Sequence, residues 1–242
     1  MSDDRDTKNR GKQINDLLDK LNSMPEYKLL LRIKSLEASF YVFQRNFKEL
    51  NSLLIKHSDV NEAIQLQGVK TRVFLYEITR LLHNFVTSVK SLIEHTRVIY
   101  REIYESAEEF PEYQVEVDRR FTNNPLAQFV EDLRDYCLHY KLPAISSVLH
   151  FSRLPPTPVF ESRVELKIEE LNKYSKWSHL AKEYLSSQNK PINLLHVTDE
   201  YYVLVKDFYN WLQLRQREIH YQEFAKVDSI QRELKDLLSK KT

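Results

Sequence analysis

Two glycines in 242 residues, Gly11 and Gly68, constrain this chain more than any other feature. Walker loops, dinucleotide fingerprints, kinase Gly-rich loops and the α/β-hydrolase elbow each need at least two glycines close together. The wide separation here excludes all four. Glycine and proline are also the residues that break helices. Near-absence of the first, eight of the second gathered between longer stretches, and 29% charged residues predict an all-α protein. The 36 Lys and Arg balance 35 Asp and Glu to a net charge of +1, so no global attraction to nucleic acid follows. The single Cys137 removes disulfide and thiolate-cluster frameworks and suits a reducing compartment. No run approaches the roughly 18 apolar residues of a spanning helix, and Met1 to Lys12 carry no apolar leader core. A cytoplasmic protein with no membrane contact is the expectation.

Hydrophobic spacing gives the organisation. Leu29, Ile33, Leu36, Phe40, Phe43, Phe47, Leu50 and Leu54 alternate four and three steps, which keeps one seam on one face of a helix over about 26–56. A second seam, Leu75, Ile78, Leu82, Phe85, Val89, Leu92, Thr96, Ile99 and Ile103, predicts a helix to about residue 105, started by a capping box at Asp59 and Glu62. With only His57 and Ser58 between them, the two helices should fold back as a shallow-angle hairpin. Asn124 as cap and Pro125 at the first helical position start a further helix, which Pro143 should end near Leu142. Ile145, Val148 and Phe151, then Val164, Leu166 and Ile168 around Pro155, Pro156 and Pro158, predict a small β-hairpin over 143–168. Helices over about 174–186 and from Thr198 onward complete the chain. The whole reads as a disordered polar tail (1–12) and one helical domain (13–242), its core at 13–142 and its C-terminal helices at 169–242.

Candidate chemistry is sparse. None of the eight histidines belongs to an H-E-x-x-H motif or has a glutamate three positions before it, so no built-in metal or cofactor is expected. His179 and Glu183 share a helix face, a pairing that is usually a surface ion pair. Cys137 falls on the apolar face of its helix, where a thiol packs as core. Tyr201, Tyr202, Phe208, Tyr209 and Trp211 alternate with Lys206, Arg215 and Arg217; at helical spacing this reads as core beside a solvated face rather than as an RNA-stacking surface.

One stretch is sharper. In Phe129-Val130-Glu131-Asp132-Leu133-Arg134-Asp135-Tyr136-Cys137-Leu138-His139, four residues separate Arg134 from His139 and a polar Asp135 follows the arginine. Arg215 and His220 repeat the spacing, but Gln216 stands in the polar place. The first arrangement resembles the motif of the HEPN superfamily, small helical domains of toxin-antitoxin, CRISPR and antiphage proteins, many of them metal-independent endoribonucleases. Two long paired helices before a shorter motif helix are similar to that family's core, and the likeness covers about residues 26–142. The toxin subgroup adds a tyrosine two residues after the histidine. Here that place is Lys141, and Tyr140 directly follows His139.

The chemistry suits the residue types. Cleavage by RNA's own 2′-hydroxyl needs a base for that hydroxyl and positive charge on the phosphorane oxygens; histidine serves the first and arginine's fork the second. At i and i+5 the side chains lie about 140° apart, so one helix brings both to one phosphate only if His139 sits in a frayed last turn. The resemblance implies Arg134 and His139 in a site supported by Asp135 and Tyr140, and motif helices of two protomers facing each other. A second apolar set, Phe74, Leu81, Val86, Ile93 and Tyr100, needs cover that the first long helix does not supply; the C-terminal helices or a second protomer could bury it, and with a site shared between protomers a homodimer is the expectation. Two function classes stand: a HEPN-like ribonuclease or toxin of a prokaryotic defence system acting on RNA, paired with an antitoxin or other partner protein, and a non-catalytic helical interaction protein.

Overall fold

The computed structural model describes residues 2–105, 109–152 and 159–239. It is helical nearly throughout, with one three-stranded antiparallel sheet. Helix α1 (Ser2–Ser23) leads into α2 (Pro25–Ser58). The tail expected over 1–12 is therefore part of a helix from Ser2 onward. Its polar first turns extend a helix anchored further along, where Leu17 and Leu21 pack.

The seam of α2 is buried from Ile33 through Leu54, with Phe40 half-buried. Asp59 does cap a helix, accepting from the Asn61 amide at 2.8 Å, but that helix is the single turn α3 (Val60–Ile64). Glu62 pairs with Lys56 rather than closing a capping box. The long partner α4 (Val69–Tyr104) starts only after Gly68, whose φ of 57° and ψ of −115° lie where a side chain is strained. The connection between the long helices is thus a one-turn helix and a glycine break, not two residues. The hairpin itself forms, with α2 against α4.

After α4 come α5 (Glu112–Val117) and a π-turn over Asp118–Thr122, closed by the Asn123 amide donating to the Asp118 carbonyl at 2.9 Å. Helix α6 (Pro125–His139) follows, with Asn124 Oδ1 accepting from the Leu126 and Ala127 amides, so its expected start is where the cap puts it. Strands β1 (Ile145–Ser152) and β2 (Val159–Leu166) pair from Ile145 opposite Leu166 to Ser152 opposite Val159. The proline-rich connection at Pro155, Pro156 and Pro158 lies outside the described residues.

The C-terminal third departs more from expectation. In place of one helix from Tyr174 there are a single turn, α7 (Ile168–Leu171), and α8 (His179–Ser187), capped by Ser178. Tyr174 and Trp177 lie in the loop between them and pack edge-to-face. A short strand β3 (Ile192–Asn193) adds to β2, and Asn193, not Thr198, caps α9 (Leu194–Ile219). Thr198 is buried inside that helix, its hydroxyl donating to the Leu194 carbonyl at 2.9 Å. The chain then restarts past His220 as α10 (Tyr221–Ser239).

The second apolar set of α4 is covered in part within one chain. Leu81 and Val86 are buried, Phe74 packs on His57 at 4.5 Å, and Tyr100 stacks on Tyr113 of α5 at 3.9 Å. Phe74, Ile93 and Tyr100 remain half-buried in the single chain. No described helix is long and apolar enough to cross a membrane.

Candidate functional site

Helix α6 lies across α4 and against α8. Its buried face, Ala127, Phe129, Val130, Leu133, Tyr136 and Cys137, fixes its rotation, because apolar residues at three- and four-residue steps point one way. Arg134, Asp135, His139 and Tyr140 are thereby left at the C-terminal half of α6 with access to solvent. Arg134 Nη1 donates to Asp135 Oδ1 at 2.5 Å, while Arg134 Nε is buried without an acceptor. His139 is exposed. Tyr140 packs edge-on against Tyr136 at 5.3 Å, and the Lys141 ammonium sits 5.5 Å above its ring. That ammonium also donates to Glu170 at 2.8 Å; with Lys173 it holds the Glu170 carboxyl down to about 2.

The last turn of α6 is not frayed. Helix persists through His139, and the Tyr140 amide donates to the Tyr136 carbonyl at 3.1 Å. Arg134 and His139 of one chain therefore keep their separation around the helix, and no hydrogen bond joins them.

The chance repeat of the motif is committed to structure. Arg215 is tied to Glu112 and Glu218, and His220 is buried with Nε2 3.0 Å from the Tyr104 hydroxyl. Cys137 is buried core, its thiol pushed up to about 12 by burial. Tyr201, Phe208 and Tyr209 are buried, as a core reading of that helix requires, with Tyr202 and Trp211 half-buried beside them. His179 and Glu183 are both exposed.

Sequence reasoning missed a cavity of about 420 Å³ between α4, α5, the π-turn, α6 and α9. Its walls are apolar: Val89, Leu92, Ile93, Val117, Phe121, Val205, Phe208 and Leu212. Glu131, Asp132 and Asp135 stand on the α6 side, with Arg97 opposite on α4. Tyr201 lines it while only 1% exposed, and its phenol is pushed far above the usual range by burial and by the Glu131 carboxylate. Tyr113 also lines it, pushed up to about 12 by burial. The only trace of this site in the sequence is the acidic run Glu131, Asp132, Asp135 on the face next to the buried one. Asp135 belongs both to the cavity and to the Arg134 pair. Set against known protein families, curated proteins and solved structures, the chain matches none of them.

Proposed function

We propose that the C-terminal end of α6 is an RNA-phosphate site and that the chain is a HEPN-like, metal-independent endoribonuclease of a prokaryotic defence or toxin-antitoxin system. The observation that supports this is the contrast between the two arginine–histidine pairs. Arg215 and His220 are spent on ion pairs and a buried hydrogen bond, whereas His139 is exposed and, among the described residues, Arg134 pairs only with its neighbour Asp135. A phosphate competes with one exposed carboxylate for that guanidinium, a weak hold in water.

Because α6 is regular through His139, one helix does not bring both groups to one phosphate. The reading therefore takes two copies, with Arg134 of one chain and His139 of the other meeting across an axis between their α6 ends. Arginine neutralises the phosphorane oxygens and histidine takes the 2′-hydroxyl proton. The 2′-oxygen bonds to phosphorus as the bond to the 5′-oxygen breaks; the 5′-oxygen departs as a hydroxyl, taking a proton from water, and a 2′,3′-cyclic phosphate remains.

Purified protein should cut a mixed RNA pool in EDTA and leave cyclic-phosphate ends, and light scattering should give twice 29.0 kDa. Arg134→Ala should lower the rate on the order of 100-fold. His139→Ala should abolish cutting while costing at most about 1 kcal/mol of stability, since the residue is exposed at a helix end. Arg215→Ala should leave cutting unchanged. Equal cleavage by wild type and both site variants, or a monomer in the presence of RNA, defeats the reading.

A further inference from the structure

From the cavity behind α6 we infer a second site, one that binds a small organic cation with an aromatic or alkyl body. Protein interiors pack to about 0.74 density and rarely leave voids much larger than a water. A cavity of about 420 Å³ is of the size that holds small molecules. Its floor is aliphatic and aromatic, so the occupant's body is apolar.

Two features set the charge of its head. Asp132 accepts from the Ser178 backbone amide at 2.6 Å and, among the described residues, pairs with no cation, whereas Glu131 faces Lys90 and Asp135 faces Arg134. On the opposite wall Arg97 is already engaged by Glu94 at 3.0 Å. Tyr201, a side chain almost wholly withdrawn from solvent, lines the cavity close enough to Glu131 to feel its charge. An ammonium beside Asp132 meets the one carboxylate of the three that, among the described residues, no basic side chain pairs with, its bond to the Ser178 amide aside. It also offers a hydrogen-bond donor to the Tyr201 phenol at the cavity wall. A carboxylate head there meets like charge. The π-turn, a rare element often placed at functional sites, supplies Phe121 and Thr122 to the same wall. The inference stands whether or not the end of α6 cuts RNA.

Tryptamine and indole-3-acetate make the test, having one ring system and opposite charge. Calorimetric titration of the full chain at low salt should show tryptamine binding at one site per chain, at least tenfold tighter than indole-3-acetate. Asp132→Asn keeps an acceptor for the Ser178 amide and should shrink that preference to about threefold or less. Val205→Trp, which fills the cavity, should remove tryptamine binding; if that variant melts early, Tyr201→Phe serves instead and should weaken tryptamine severalfold at unchanged melting temperature. Equal binding of the two probes, binding of neither, or tryptamine binding unaltered by Asp132→Asn, by a folded Val205→Trp and by Tyr201→Phe overturns the inference.

Discussion

Helix α2 runs through two regions that are held together by different means. From Leu36 to Leu54 it lies in the main core, where rings from α9 clamp it: Phe40 stacks on Tyr209 and Phe47 on Tyr202, each at 3.8 Å and nearly parallel. Its first two turns belong instead to an arm of α1, α2 and α10, whose buried residues are Leu21, Leu30, Val227 and Ile230. There the contacts are mostly aliphatic, with an exposed ion pair of Lys226 with Glu26 at 2.9 Å. A continuous helical seam does not by itself imply uniform stability. What packs on the seam sets how firmly each part is held, and aromatic partners bury more area per residue and add directional ring contacts.

The strongest way to break this contrast is to remove one side chain from each region. Phe43→Ala, a ring wholly buried between Phe85 and Tyr202, should cost about 3–5 kcal/mol and lower the single unfolding transition of the body. Leu30→Ala should cost about 2 kcal/mol, nearer the low end for a buried leucine because a small cluster collapses around the gap. Amide exchange should then speed up in α1 and α10 and stay unchanged in α4 and α6. If exchange rises equally everywhere, arm and body are one cooperative unit.

Acid sharpens the comparison, because one buried imidazole sits in the body and one at its junction with the arm. His57 Nε2 lies 2.9 Å from Ser147 Oγ and 3.0 Å from Ser162 Oγ, joining α2 to the sheet; His220 meets Tyr104 where α9 gives way to α10. Burial lowers both pKa values, while Glu223 and Glu109 partly oppose it at His220. The unfolded histidines take up protons near pH 6.5. Below that pH the unfolded chain binds more protons than the folded one, so stability is complete above it and is lost as pH falls toward the folded values. Urea midpoints should drop between pH 7 and 5, and His57→Asn should flatten that slope more than His220→Asn. A midpoint independent of pH in this window contradicts the burial of both rings.

The smallest effect concerns a cap. Asn124→Ala removes the acceptor for two amides at the start of α6 and should cost about 1 kcal/mol by denaturant titration, with no change in the arm. A loss below about 0.3 kcal/mol would mean that burial of the α6 face alone holds that helix.

Much of this architecture is legible in the residues. The seams of α2 and α4, the Asn124–Pro125 start and the two long strands rest on local rules, periodicity and cap chemistry, that act within a few residues. Misreadings occurred where a local signal had a competing tertiary use. Thr198 is a good cap by type but is buried with its hydroxyl on Leu194, so Asn193 caps instead. Tyr174 and Trp177 fit a helix by spacing but are taken by the aromatic contacts of α6. The site divides the same way. Arg134, Asp135, His139 and Tyr140 are adjacent in sequence and could be singled out there, whereas the cavity joins Leu92, Tyr113, Asp132 and Tyr201 from four separate segments.

The sequence alone determined that the chain is helical, that its two long helices pair, and which stretch carries the arginine and histidine. Helix periodicity and capping depend on neighbours three or four residues away, so they survive without a fold. Tertiary structure alone decided that α6 stays regular through His139, that Arg215 and His220 are consumed by ion pairing and burial, and that a cavity opens behind Asp132. Each of those depends on which distant side chains arrive at a helix face, and no spacing within one segment encodes that arrival.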